Sequence, residues 1–375
     1  MYLFVRSSTN PGPRVSRVMR YFEGSGRACV YLSPKRADDI LDNSPRNLGT
    51  LGTYDYFDGS GISRFVVFLL KLNFQVVKKI LANKNNLKMV HFSDLEVVLL
   101  GGLLCRFLRI PYVYNIHDNF FQRYEFSKIT SAFLKYLESF YIALASVTLV
   151  PEKFRETAYP RITHKYIKVL RNFPDFDVRT EREPFENGAV RLFYGGWISR
   201  NRHIEQYLEL SVALKESGFR VEMLLCGWGD KSYLETLREK FSEHGLGFNY
   251  LGQLSQKDAV SWLQRSDIAI AYYSPEKTIN ILAASNKIPE IIGSNTILIT
   301  NKHTEIAKML APLEVSLQFD ESVSEISGSL VALLSSPAAL KEFLGRAKDF
   351  YSEEYAPTKF QIAMDEVFAE ILAVD

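Results

Sequence analysis

Short runs of β-branched and aromatic residues alternate with longer amphipathic stretches along this chain, and that alternation leaves few architectures open. Residues 1–5, 28–32, 89–92, 112–115, 147–150 and 167–170 read as strands, with helices over 14–23, 62–82, 95–108 and 131–144. The strand runs are apolar on both faces, so each face needs cover, which a strand–helix–strand order supplies in a parallel sheet. Residues 175–189 break the pattern with Glu, Arg, Asp and Pro184, and read as a connection. A second alternation follows, with strands over 190–193, 221–226, 248–251, 268–272 and 297–300 and helices over 205–214, 233–241, 258–264 and 287–292; residues 338–350 and 358–372 are helical again. The expected fold class is α/β: two tandem Rossmann-like domains, residues 1–172 and 190–355, joined by 173–189.

Length agrees, because 375 residues exceed what one core usually serves, and 47% hydrophobic with 23% charged residues is ordinary for a soluble globular chain. Cys29, Cys105 and Cys226 lie far apart in apolar segments without metal-ligand or redox spacing, which suggests a reducing compartment and no disulfide frame. Charge is uneven. Residues 1–172 hold 25 Lys and Arg against 13 Asp and Glu, whereas 173–375 hold 20 against 30. A basic first half suits an anionic partner: nucleic acid, a membrane surface or a phosphorylated substrate. No nucleic-acid-binding motif accompanies it, so nucleic acid is not an expected partner. Between Asp58 and Asp94 there is no acid, while Arg64, Lys71, Lys78, Lys79, Lys84 and Lys88 punctuate an apolar helix pattern that includes Phe65, Phe68, Leu70 and Phe74. This segment reads either as an interfacial helix on an anionic membrane or as a core-packed helix with a solvated basic face. No apolar run reaches the roughly 18 residues of a membrane span, and residues 1–5 are too short for a signal peptide.

For chemistry the informative stretch is Ala284-Ser285-Asn286-Lys287-Ile288-Pro289-Glu290, shortly before the apolar run 297–300. An amide, an ammonium and, three residues on, a carboxylate sit where a helix should begin, at the carboxyl edge where open α/β sheets bind ligands. A helix amino terminus with Lys287 would neutralise a diphosphate, and the two oxygens of Glu290 would accept both hydroxyls of a ribose. In the competing reading Asn286 caps the helix and Lys287 and Glu290 are solvated.

Pieces elsewhere, in the right order, make this chain resemble the retaining glycosyltransferases of the two-domain B fold, family 4, in its Asn-Lys-x-x-Glu branch. Val90-His91-Phe92-Ser93-Asp94, with residues 110–118 ending in His117-Asp118, is similar to that family's stretch ending in a His-Asp or His-Glu pair. Pro11-Gly12-Pro13-Arg14 resembles its amino-terminal loop, and Val169-Leu170-Arg171-Asn172-Phe173-Pro174 the segment that closes its first domain. Residues 192–205, with Gly195-Gly196-Trp197 and Arg202, resemble the opening strand and phosphate-binding loop of the second domain; 225–230, with Gly227, its second glycine turn; and 248–252 its base-flanking strand.

The resemblance implies a donor cleft between the two domains, and a last helix, about 356–375, packing back on the first. It places Glu290 on the nucleotide ribose, and Arg202 on the diphosphate in place of a Lys, keeping the charge and adding a fork. Asn286 and Lys287 fall at the sugar and phosphate end, with the Gly195, Gly196 and Gly227 backbone approaching the pyrophosphate. His117 falls beside the anomeric carbon with Asp118 orienting it, and Gly12 and Arg14 on the acceptor side. The implied reaction moves a hexose or related sugar, with retention, from a nucleoside diphosphate-sugar to a glycan such as a polyprenyl-diphosphate-linked oligosaccharide of bacterial surface polysaccharide or lipopolysaccharide synthesis. The leaving diphosphate takes the acceptor's proton on the same face. No cofactor or metal is implied, since Arg202, Lys287 and helix dipoles can replace it. The implied location is cytoplasmic, peripheral on the cytoplasmic face of the inner membrane.

Three positions depart from the family's pattern. Trp197 stands where most members have an Arg, which removes one of two cationic clamps and offers a ring to stack on a base or sugar instead. Leu282 stands where many carry a glutamate, and Ser294-Asn295-Thr296 replaces a small-residue and proline turn, with Asn295 able to turn left-handed. Trp228, Tyr272 and Tyr273 are candidates to flank the donor, while His91 reads more as a packed histidine and Arg14 equally as a first-turn surface residue. A sugar-nucleotide epimerase of the same fold is a competing reading, against which the basic helix argues. So is a non-catalytic partner at the membrane, which Trp197 keeps open.

Overall fold

The structure, a computed structural model, describes residues 1–8, 11–34, 61–123, 126–176, 185 and 188–372. Most of the stretch from 177 to 187, within the expected connection, and the acidic pair Asp38-Asp39 lie outside the described residues. The chain divides into two compact units, Met1–Arg171 with Phe360–Asp375, and Asn172–Lys359.

The first unit holds strands β1 (Tyr2–Arg6), β2 (Cys29–Leu32), β3 (Met89–Ser93), β4 (Tyr112–Asn115), β5 (Val147–Val150) and β6 (Ile167–Val169). They form one parallel sheet in the order β2-β1-β3-β4-β5-β6. Strands β2 to β5 are buried at every residue, as helices on both faces require. Helix Leu95–Phe107 seats itself through two adjacent glycines. A Cβ on Gly101 would come within 2.8 Å of the Phe92 ring and 2.9 Å of Val76, and one on Gly102 within 3.4 Å of Tyr141. The last helix, Pro357–Leu372, packs on this unit, with Phe368 edge-on to Phe22 at 4.9 Å and Asp365 accepting a hydrogen bond from Tyr21.

The second unit holds β7 (Val190–Ile198), β8 (Val221–Gly229), β9 (Gly247–Tyr250), β10 (Ile268–Ala271), β11 (Ile297–Asn301) and β12 (Leu317–Phe319), parallel in the order β12-β11-β10-β7-β8-β9. Its core is the aliphatic and aromatic filling between this sheet and its helices, with Leu192, Met223, Leu225, Ile299 and Phe319 fully buried. Strand order reverses between β1 and β3 in the first unit and between β7 and β10 in the second, and such switch points open a crevice at the carboxyl edge.

Two expectations need correction. The stretch Gly195 to Ile198, read as a phosphate-binding loop, continues β7, and the glycine turn after Cys226 continues β8. Gly196 pairs with Gly227, Trp197 with Trp228 and Ile198 with Gly229. The two backbones close up because β8 carries glycines where they meet: a Cβ on Gly227, opposite Gly196, would lie 1.8 Å from its carbonyl oxygen, and one on Gly229, opposite Ile198, 2.1 Å from that of Ile198. Strand β12 and the helices Glu305–Leu310 and Ser327–Ser335 were not expected at all. Asn295 does take the left-handed conformation, at φ 57°.

Candidate functional site

In the second unit the ends of β7, β8 and β10 and helices Gln256–Leu263 and Lys287–Gly293 surround a cavity of about 250 Å³. Gly195, Gly196, Gly227, Lys287 and Glu290, five of the residues expected at a donor, line it. Its apolar side is Leu254, Ala259, Val260 and Leu263, with Trp228 at the rim, 57% exposed. The Lys287 ammonium lies 4.6 Å from the centroid of the Tyr194 ring, and a Cβ on Gly196 would be 3.5 Å from its Nζ, so the cation sits directly over the glycine ladder. Burial, followed by the charge of Arg202, lowers the Lys287 pKa to about 8, and Glu290 opposes that shift. Glu290 Oε1 accepts a hydrogen bond from Gln256 Nε2 at 3.1 Å.

The remaining expected donor residues are placed differently. Arg202 ends a short 3-10 turn, Arg200–Arg202, is exposed, and lies 5.8 Å from the Trp197 ring; it does not line the cavity, nor do Trp197 and Asn286. Helix Lys287–Gly293 is only seven residues long, and its first N–H is taken by Ser285 Oγ at 3.0 Å rather than by an Asn286 cap. Tyr272 packs between His203, at 4.7 Å, and Phe319, at 6.1 Å. Sequence reasoning missed Gln256 and Tyr194, which act through contacts 34 residues away in one case and through a ring face in the other.

At the carboxyl edge of the first unit, polar side chains converge. His117 follows β4. Its backbone N–H donates to Asp94 Oδ1 at 2.8 Å, and Asn115 Nδ2 donates to its Nε2 at 3.2 Å. Burial, then the positive charges of Arg6 and Arg14, push the His117 pKa well below its usual value, so the ring is neutral at pH 7. Asp118 was expected to orient His117. Its carboxylate instead meets the buried Arg155 at 3.1 Å, and the orienting groups are Asp94 and Asn115.

Asp94 itself has φ 72° and ψ 166°, a region nearly reserved for glycine, which costs on the order of 1–3 kcal/mol and is held by its surroundings. It is 3% exposed and its pKa is raised by burial. Next to it the buried Glu96, raised to about 7 by burial and then by Asp94, accepts from Arg123 Nη1 at 2.8 Å. Glu138, raised to about 8 by burial, accepts from Tyr114 Oη at 3.1 Å, from Tyr159 Oη at 3.3 Å and from the Phe120 N–H at 3.3 Å, and so anchors the loop that carries His117.

Arg14, weighed as a surface residue, is only 4% exposed. Its Nε and Nη2 have no hydrogen-bond partner among the described residues, and burial, then the charge of Arg155, lowers its pKa to about 9. Gly12 has φ 73°, and a Cβ there would lie 2.5 Å from Arg6 Nη1. His91 is packed as expected: it is fully buried in β3, 5.0 Å from the Phe4 ring, with its pKa lowered to about 3 by burial and then by Arg14. Among the described residues no cluster of three His, Cys, Asp or Glu side chains is placed to hold a metal ion.

No family profile and no curated protein matches the chain. Solved structures do. HepE of Anabaena, in complex with UDP and glucose, has a TM-score of 0.70 at 14% identity, covering 100% of this chain and 99% of that one. Sucrose-phosphate synthase of Thermosynechococcus elongatus has a TM-score of 0.71 at 13% identity, with 100% and 99% covered. A glycosyltransferase of Rickettsia africae has a TM-score of 0.66 at 15% identity, again with 100% and 99% covered. At such identities the likeness is one of fold, and it defines the class: two Rossmann-like units of the glycosyltransferase B fold.

Proposed function

We propose that this protein is a glycosyltransferase, similar to family 4, that moves a sugar with retention from a nucleoside diphosphate-sugar to a glycan acceptor. The observation that carries the reading is the second unit's cavity, where one half-buried ammonium, one carboxylate and a glycine-lined backbone share a wall opposite an apolar slot. Lys287 supplies charge for a diphosphate, Glu290 accepts ribose hydroxyls, and Leu254, Val260 and Leu263 form a slot of the apolar kind that suits a base. HepE, similar in fold, binds UDP, glucose and UDP-glucose, which supports a sugar nucleotide as donor. Arg202 and Asn286 stay candidates at the phosphates and sugar, and Trp197 a candidate to stack on either.

In the first unit, the neutral His117 is a hydrogen-bonding group that adds no positive charge, which suits a site where an oxocarbenium-like charge develops. Asp118, paired with Arg155, acts here as a neighbouring charge and not as the group that orients the ring. Arg14, with unused buried N–H donors, suits an anionic acceptor such as a lipid-linked diphosphate glycan. The leaving diphosphate accepts the acceptor's proton, Arg202 and Lys287 replace a metal, and no cofactor takes part. We place the work at the cytoplasmic face of a membrane. Incubation with nucleoside diphosphate-sugars and a glycan acceptor, followed by NMR of the product, tests this: α-linked donors giving α-linked product support it. Isomerised free sugar nucleotide in place of product identifies an epimerase and refutes it.

A further inference from the structure

Helix Leu95–Phe107 of the first unit is flanked by helices Gly61–Asn83 and Lys128–Leu144, and side-chain hydrogen bonds to its backbone fasten the three. Asn73 donates to the Glu96 carbonyl at 2.8 Å and accepts from the Leu100 N–H at 3.0 Å, while Tyr141 Oη donates to the Leu99 carbonyl at 2.7 Å. Each helix is apolar on its outer side as well as its inner one. Leu70 and Phe74 are 62% and 65% exposed, Phe107 83%, and Ile129, Phe133 and Tyr136 85%, 63% and 70%. Single exposed apolar residues are ordinary; a run of them across three adjoining helices is an interaction surface.

Its charge names the occupant. Lys71, Lys78, Lys84, Arg106 and Lys128 are exposed on these helices or at their ends. Within residues 61–123 and 126–151 the carboxylates are Asp94, Glu96, Asp118 and Glu138, of which Asp94, Glu96 and Glu138 are buried, and Asp118 faces Arg155. Among the described residues of these helices, a second copy docked through the same face would set lysines against lysines with no exposed carboxylate to meet them. An anionic bilayer meets both requirements, since its headgroups take the cations and its acyl boundary the rings. We propose that the three-helix face of the first unit, with Phe74, Phe107 and Phe133 as insertion points, docks the protein on an anionic lipid surface. The role of that docking in presenting a lipid-linked acceptor rests on the transferase reading; the binding itself does not.

The test is cosedimentation of the full chain with vesicles of phosphatidylcholine alone and of phosphatidylcholine mixed with phosphatidylglycerol, at low and high salt. Binding is expected to the mixed vesicles and to weaken with salt. Lys71→Gln with Lys78→Gln should lower the partition coefficient about 30-fold, from the contribution of two near-surface lysines. Phe74→Ser with Phe107→Ser and Phe133→Ser should abolish the binding that survives high salt. All five positions are exposed, so melting temperatures should stay at the native value. Failure to bind mixed vesicles, equal binding to neutral ones, or a concentration-dependent dimer that the Phe variant dissociates would overturn the proposal. Titration of the same variants with UDP separates the two readings: vesicle binding lost or absent with UDP binding intact leaves the transferase reading standing.

Discussion

At its carboxyl edge the second unit opens a cavity, whereas the described residues of the first unit gather buried polar side chains near theirs. In the second, Gly195, Gly196, Gly227 and Gly229 keep side chains out of the edge, and a cavity opens beside Lys287 and Glu290. In the first, the buried Asp94, Glu96 and Glu138 hold the His117 N–H, Arg123 and the Phe120 N–H respectively. The lesson is that one topology can serve two tasks. A ligand with a large rigid body needs removed side chains, whereas a single group held at a fixed angle needs surrounding ones.

The largest effect expected from breaking this contrast is in the glycine ladder. Gly227→Ala forces a Cβ to 1.8 Å from the Gly196 oxygen at φ 141°, and should cost about 3 kcal/mol or more in urea unfolding. A loss under about 1 kcal/mol would mean that the strand ends are not packed as described. Lys287→Met should weaken nucleoside diphosphate binding at least ten-fold, the value of one charge-assisted hydrogen bond. With its pKa near 8 in the free protein, Lys287 loses its proton as pH rises through that value, so native affinity should fall above pH 8 and the variant's should not. Titration calorimetry at a series of pH values decides it.

In the first unit the same cause, burial, moves carboxyls upward instead. Glu138 is raised to about 8 and Glu96 to about 7, both above an unfolded carboxyl, so the native state holds protons that the unfolded state releases above about pH 4.5. Their contribution is fully present below that pH and is lost as pH rises toward 7 and 8. Because the lowered His91 and His117 oppose this below about pH 6.5, the clear readout lies between pH 6.5 and 8, where urea unfolding should show stability falling with pH in the native protein and falling less steeply in Glu138→Gln. The smallest effect belongs to Gln256→Ala, which removes one neutral donor from Glu290 and should weaken donor binding about three-fold by calorimetry.

How far the sequence could be read follows the same contrast. Strands β4 and β5 begin where residues 112–115 and 147–150 put them, because Pro111 and Ser146 precede short apolar runs. Lys287 and Glu290 were legible because their partnership is local, three residues apart at one helix start. Gly195-Gly196 looked like a loop because glycine disfavours strands in isolation, and only the facing Gly227 turns it into a ladder. Glu138 in mid-helix reads as solvated until Tyr114, Phe120 and Tyr159 arrive from distant segments, and no sequence pattern announces the Asp94 backbone angle. Strand β12, three residues at a sheet edge, is too short to leave a signal.

The most direct measurement is isothermal titration of the native protein and of Glu290→Ala with UDP, GDP, TDP and their common sugar conjugates. One nucleotide should bind the native chain and bind the variant at least ten-fold more weakly, placing a ribose on Glu290. Absence of binding by any of them at millimolar concentration, or equal binding by both proteins, would contradict the account of the second unit's cavity as a donor site.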